Sequence, residues 1–341
     1  MWAARVGKTE AAKIFLDNNA EADAVNEFGA TAMHEAVDGN HVDVVQALVE
    51  RRANPNIQDG RGNTPLMLAA RSGHAEVIRA LMDGPMKVEL EVQNNAGQTA
   101  LTWAVVNGHI KVVRLLMSLG SDPMTLDADG RGILAITAST GQENLMKAML
   151  ESILSADQEN PAQVAQALSK AALMFSQQDN AGNTCLMAAA RHSGVRGGDP
   201  AEAEADAMDC CKVVMQHESG VATIDMVNNE GDTALIGAVR ENRAKVCEYL
   251  LEHGADRSIA NKWNMDAEFL ACVPLHPTGY PVGLTAPCCI LVPALTSCCT
   301  SQARDGPRGM RSAMLRISAL EACATGRKLC QWGIPQGQCI G

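Results

Sequence analysis

The chain reads as an all-α solenoid of stacked helix–turn–helix units with hairpin loops, about six full and two partial repeats, ending in an irregular C-terminal tail. Three observations lead there. A glycine-led octapeptide recurs through the first three quarters of the chain. Apolar residues return at helical spacing behind each copy. The composition is 47% hydrophobic but only 3% aromatic, so the core is filled by small and aliphatic side chains that let helices approach closely.

The copies align on one glycine. Gly29-Ala30-Thr31-Ala32-Met33-His34-Glu35-Ala36 matches Gly62-Asn63-Thr64-Pro65-Leu66-Met67-Leu68-Ala69 and Gly97-Gln98-Thr99-Ala100-Leu101-Thr102-Trp103-Ala104. Gly182 and Gly231 open two further copies, Gly130 a weaker one, and Asn264-Met265-Asp266-Ala267 is a last trace. The anchors lie 33, 35, 33, 52, 49 and 33 residues apart, so two units carry insertions. A half-copy precedes them, with Ala3 and Gly7 in register with Ala36 and Asn40.

Each element follows from this pattern. The glycine suits a hairpin turn. Thr31, Thr64, Thr99, Thr184 and Thr233 are N-caps for a short inner helix. That helix stops at Gly73, Gly108 or Gly141, or at Asn40 or Asn242, residues that tolerate a left-handed C-cap. An outer helix follows, with Val42, Val44, Val45, Leu48 or Ile110, Val112, Val113, Leu116 at helical spacing. A turn such as Gly120-Ser121-Asp122-Pro123 closes the unit. One helix pair cannot bury both faces, so neighbours must stack. Alanine-rich inner helices favour curvature, with the inner helices and hairpin tips on the concave side.

The two insertions differ. Residues 152–176 contain Pro161, Val164, Leu168, Ala171, Ala172 and Phe175 and predict an extra amphipathic helix docked on the stack. Residues 193–206 read as a flexible acidic loop.

These residues resemble the ankyrin repeat, whose period is 33 and whose inner helix opens with a Thr-Pro-Leu-His-like motif. The resemblance covers roughly residues 2–267, which places a repeat domain at 1–267 and a Cys/Pro-rich, disordered tail at 268–341. Only Thr64-Pro65-Leu66 keeps the proline and only His34 fills the histidine position, so few inter-repeat bonds of that histidine are expected.

The resemblance implies a protein-interaction scaffold or adaptor that binds a partner protein through a concave groove and its hairpin tips. Carried over residue by residue, the binding surface takes Glu27, Phe28 and Asp38 from the first full copy, then Arg61, Asn63, Arg71 and Ser72. Asn95, Gln98 and Asn107 follow, then Asp129 and Arg131, Asn180 and Arg191, and finally Asn229, Glu230 and Arg240. Phe28 stands out, because an aromatic at a turn tip has no core to fill and aromatics dominate binding hot spots. Trp103 reads as core between units. The alternative is the regulatory arm of a larger enzyme or channel, since the chain opens in mid-unit.

Other classes are disfavoured. A net charge of −11 argues against nucleic acid. No stretch reaches the roughly 18 apolar residues of a membrane span, and Met1-Trp2-Ala3-Ala4-Arg5 leads into no secretory apolar core. A cytoplasmic monomer without metal or cofactor is expected, with the nucleus as the alternative location. No phosphate loop, dinucleotide fingerprint, zinc-protease motif or nucleophile elbow occurs, so no catalytic residue is assigned. His41, His74 and His109 open outer helices in phase and read as structural. His192 and His217 flank the second insertion. Of the twelve cysteines, Cys185, Cys210, Cys211 and Cys247 precede the tail and read as buried apolar groups. The tail's Cys288-Cys289 and Cys298-Cys299 leave open a lipidated patch or, less readily, a zinc site, and a short helix fits residues 309–324.

Overall fold

The computed structural model describes residues 1–154, 161–192 and 200–272. The tail from 273 onward, with its cysteine pairs, its suggested helix and any lipid or zinc site, lies outside the described residues, as do 193–199 of the second insertion. Among the described residues every regular element is a helix. They fall into two compact units, Met1–Glu230 and the part beginning at Gly231.

In the first unit the inner helices are α1 (Trp2–Arg5), α3 (Ala32–Asp38), α5 (Pro65–Ser72), α7 (Ala100–Val106), α9 (Ile133–Ser139) and α12 (Cys185–Ala190). Each packs on the next. The outer helices α2 (Thr9–Asp17), α4 (Val42–Glu50), α6 (Ala75–Met82), α8 (Ile110–Ser118), α10 (Glu143–Leu154) and α13 (Pro200–Met215) form a second stacked layer. The second unit holds α15 (Ala234–Arg240), α16 (Ala244–Glu252) and α17 (Ala267–Cys272), with α15 packed on both others.

The expected caps form. Thr31, Thr64, Thr99, Thr184 and Thr233 each accept a backbone N–H three residues on. In the weak copy Gly132 takes that place without a side-chain cap. Gly73, Gly108, Gly141, Asn40 and Asn242 all have positive φ, as the inner-helix stops require. At Gly73 a Cβ would also fall 2.7 Å from the His109 ring. The layers meet through alanines: Ala36, Ala69, Ala104, Ala189 and Ala238 are fully buried. Burying Leu66, Met67, Ile78 and Leu81 around them stabilises the stack by about 1.5–3 kcal/mol per side chain.

The first insertion is a helix as expected, α11 (Pro161–Ser176), packed on α10, α12 and the short α14 (Glu218–Val221). Its buried residues are Ala171, Met174 and Phe175, whereas Leu168 and Leu173 are exposed. Leu168 was expected to face inward. It lies seven residues before Phe175 but one turn beyond the end of the docked face.

The acidic-loop reading of 193–206 fails from residue 200 onward. Pro200 opens a sixteen-residue α13. Ala203 and Ala207, one turn apart, are buried, and Cys210, Cys211 and Val214 continue the same face. Acidic residues in the first turn favour a helix N-terminus, so the charges that suggested a loop belong to the helix's exposed side.

Candidate functional site

The hairpin tips share one construction that the sequence reading missed. Three residues before each anchoring glycine stands an Asn or Asp: Asn26, Asp59, Asn94, Asp127, Asp179 and Asn228, with Asn261 in the same place before Asn264. In Asn26, Asp59, Asn94, Asp127, Asp179 and Asn261 the side-chain oxygen accepts backbone N–H groups two and four residues on, at 2.7–3.1 Å. Asn228 accepts from Glu230. This pins each tip. The constant spacing was visible in the sequence.

In the first unit the tips are joined by backbone bonds. Gly60 donates to the Phe28 carbonyl at 2.8 Å and Asn95 to Arg61 at 3.2 Å. Ala128 donates to Ala96, Asn180 to Asp129 and Asn229 to Ala181. The junction is tight: at Gly62 (φ +79°) a Cβ would lie 2.9 Å from the Asn95 backbone nitrogen. Gln58 and Gln178 each donate to a carbonyl of their own unit and one of the next.

A second set of bonds ties the inner-helix ends. His41 Nε2, His74 Nδ1, His109 Nε2 and His192 Nδ1 bond the carbonyls of Arg5, Val37, Arg71 and Ser139, respectively, at 2.8–3.1 Å. Gln142 makes the equivalent bond to Val106. The structural role expected of the first three histidines holds and extends to His192. His34 alone makes the inter-repeat bond of the motif histidine, from Nε2 to the Asn63 carbonyl at 3.0 Å. Its Nδ1 accepts the Thr31 N–H.

The expected surface residues separate into groups on this frame. Phe28 is 71% exposed, and Glu27, Arg61, Asn95, Asn107, Asp129, Asn180, Arg191, Asn229 and Glu230 are also exposed. Ser72, Gln98 and Arg131 are half-buried. Asn63 departs from expectation. It is buried, bonding Asp59 and accepting from Asn94, so it ties tips together instead of facing a partner. Asn180 and Asn229 are exposed yet donate to the carbonyls of Ala128 and Asn180. Asp38 and Arg71 form an ion pair at 2.9 Å, and Arg131 pairs with Asp127 and Asp129. In the second unit Arg240 is mostly buried, paired with Asp232 at 2.6 Å and lying over Trp263. Its guanidinium therefore serves the fold.

Trp103, expected in the core, is half-buried, with the Arg71 guanidinium 5.9 Å from its ring centre. Both line a cleft of about 370 Å³ with Arg61, Asn94, Asn95 and Gln98. A second cleft of about 290 Å³ lies between the fourth and fifth tips, lined by Arg131, Ser139, Asn183, Arg191 and His192. Within the first unit, the surface inferred for recognition thus contains two concavities.

Among the described residues no three His, Cys, Asp or Glu side chains come together to hold a metal ion. Cys185, Cys210, Cys211 and Cys247 are buried. Burial pushes the Cys185 and Cys210 thiols up to about 12, which keeps them protonated and poor nucleophiles. No described helix is long and apolar enough to cross a membrane.

Comparison with known proteins agrees with this geometry. Residues 1–59 and 51–127 match the family model of ankyrin repeats in three copies, and residues 230–262 match that of the single ankyrin repeat. The matches stop and resume on either side of the insertion-bearing units. The "Ankyrin repeat and KH domain-containing protein mask-1" of Caenorhabditis elegans is 32% identical over 81 residues, 24% of this chain and 3% of that protein. The human "Ankyrin repeat domain-containing protein 63" is 36% identical over 70 residues, 20% of this chain and 18% of that protein. The "Neurogenic locus Notch protein" of Drosophila melanogaster is 43% identical over 70 residues, 20% of this chain and 3% of that protein. The chain therefore spans only a small part of the relatives it matches.

Proposed function

From the premise that this chain is an ankyrin-repeat protein, we propose that it is an adaptor that binds a partner protein through its hairpin tips and inner-helix ends. Ankyrin repeats are in general protein–protein interaction modules, and the family is typically non-catalytic. The observation that carries the reading is the division of labour along the tips. Backbone and amide bonds hold the frame, while Phe28, Arg61, Asn95 and Arg191 project exposed side chains from it. A rigid frame presenting varied side chains loses little entropy on binding. A reducing, cytoplasmic setting fits the burial of Cys185, Cys210, Cys211 and Cys247 in the helical core.

A second reading, the regulatory arm of a longer protein, is favoured by the matched relatives, in which the shared repeats form a small share of the whole.

The test is affinity capture with the full chain and its Phe28→Ala and Arg71→Glu variants, followed by mass spectrometry. Loss of an exposed aromatic anchor costs about 1–2 kcal/mol or more, so roughly tenfold less partner is retained. Partners retained equally by both variants would remove the tip face from the account.

A further inference from the structure

We propose that the tip face of residues 1–230 receives an extended acidic peptide segment, with carboxylates five or six residues apart seated in the Arg61/Arg71/Trp103 cleft and in the Arg131/Arg191 cleft. The proposal rests on the reading of this face as the partner-binding surface and adds the chemistry of the partner.

The local charge is the first argument. The whole chain carries −11, yet no carboxylate lines the first cleft, where Arg61 and Arg71 stand. The second is lined by Arg131, Arg191 and one carboxylate, Asp179. The Asp179 oxygens are taken up by the N–H groups of Ala181 and Asn183 and by the Asn183 amide. Among the described residues Arg61 and Arg191 have no ion-pair partner, and both are exposed. Arg71 is already paired with Asp38 and Arg131 with Asp127 and Asp129, so the exposed Arg61 and Arg191 guanidiniums, one at each cleft, are the groups that select an anionic ligand.

The second argument is an unused donor. Among the described residues the buried Trp103 Nε1–H has no acceptor, a costly state for an indole. Arg71 lies over the same ring. A carboxylate held by Arg61 takes the place of Asp38 beside Arg71 and offers the indole its acceptor.

The third argument is spacing. The first cleft lies between the units anchored at Gly62 and Gly97, the second between those at Gly130 and Gly182. The Asn95–Arg61, Ala128–Ala96 and Asn180–Asp129 backbone bonds make these four tips consecutive neighbours. The clefts are thus two unit steps apart. With packed helices about 8–10 Å apart, the separation is roughly 16–20 Å. An extended chain rising about 3.3 Å per residue covers that in five or six residues.

The test uses the full chain and fluorescein-labelled Gly/Ser dodecapeptides read by anisotropy. One peptide carries two Glu-Glu pairs six residues apart, one carries them adjacent, one replaces every Glu by Lys, and a dT12 oligonucleotide is the nucleic-acid arm. We expect the six-apart peptide to bind best. Arg61→Glu and Arg191→Glu each weaken it about fivefold, the effect of one largely exposed ion pair. The Lys peptide then recovers affinity for the double variant. Trp103→Phe, which keeps the ring and removes the N–H, weakens the acidic peptide as well. Indifference to spacing, no response to either reversal, or tighter binding of dT12 overturns the proposal. If the double variant still captures the partners that Phe28→Ala loses, the adaptor reading stands and only the acidic assignment falls. If capture ignores the tip face altogether, both fall.

Discussion

At His34 one side chain links two units, and its protonation state decides whether it can. Nε2–H donates to the Asn63 carbonyl while Nδ1 must be bare to accept the Thr31 N–H. Burial holds the His34 pKa below its ordinary value near 6.5. The unfolded chain therefore takes up this proton first as pH falls, and stability present above that value is lost as pH drops through it. One residue contributes a slope of up to about 1.4 kcal/mol per pH unit. Burial depresses His217 in the same sense, so the informative quantity is the difference between the chain and His34→Gln. We expect the variant to melt lower at pH 7.5 and to show a shallower decline from pH 7.5 to 5.5. Parallel melting curves would mean that the ring is not held neutral. At this scale the sequence spoke unevenly. It marked the threonine caps and the lone motif histidine, because each depends on its own few neighbours. It did not mark Asn63 as buried or Arg71 as paired with Asp38, since those depend on a residue about thirty positions away.

Among the elements, the inner helices and most outer helices were legible because cap, stop and apolar stripe coincide within ten residues. The expectation failed at α13, where acidic and glycine-rich composition outweighed a real helical period. Ala203, Ala207, Cys210, Cys211 and Val214 form that period, but small residues give a weak apolar signal. The helix makes a sharp prediction. Ala203 is buried and Ala205 is exposed. Ala203→Leu overpacks the contact and costs about 1–3 kcal/mol, whereas Ala205→Leu stays within about 0.5 kcal/mol of the parent. Chemical denaturation of the two variants reads the difference. Equal stabilities would return residues 200–206 to a loop. The hairpin tips were half legible: the recurring Asn or Asp was in plain view, while the carbonyl of the neighbouring tip was not.

Along the first unit, packing runs mainly between neighbours, so stability is close to a sum of local terms. Those terms are uneven. α2 buries only Ala12, and α1 contributes Ala3 and Ala4. Trp2, Ile14 and Phe15 are 74%, 60% and 61% exposed, so the first helix pair adds little apolar burial. By contrast α5 and α6 bury Leu66, Met67, Ile78 and Leu81 almost completely. Native-state hydrogen exchange resolves such differences, because local openings span free energies from near zero to the global value. Amides of α1 and α2 are expected to exchange first, at least tenfold faster than those of α5 to α7, where both neighbouring units contribute burial. Adding denaturant at low concentration should erase protection in α1 and α2 while that of α5 to α7 persists. If all of these helices instead lost protection together and at one rate, the unit would fold as a single cooperative body. The nearest-neighbour description of its stability would then be wrong, although the tips would still be joined.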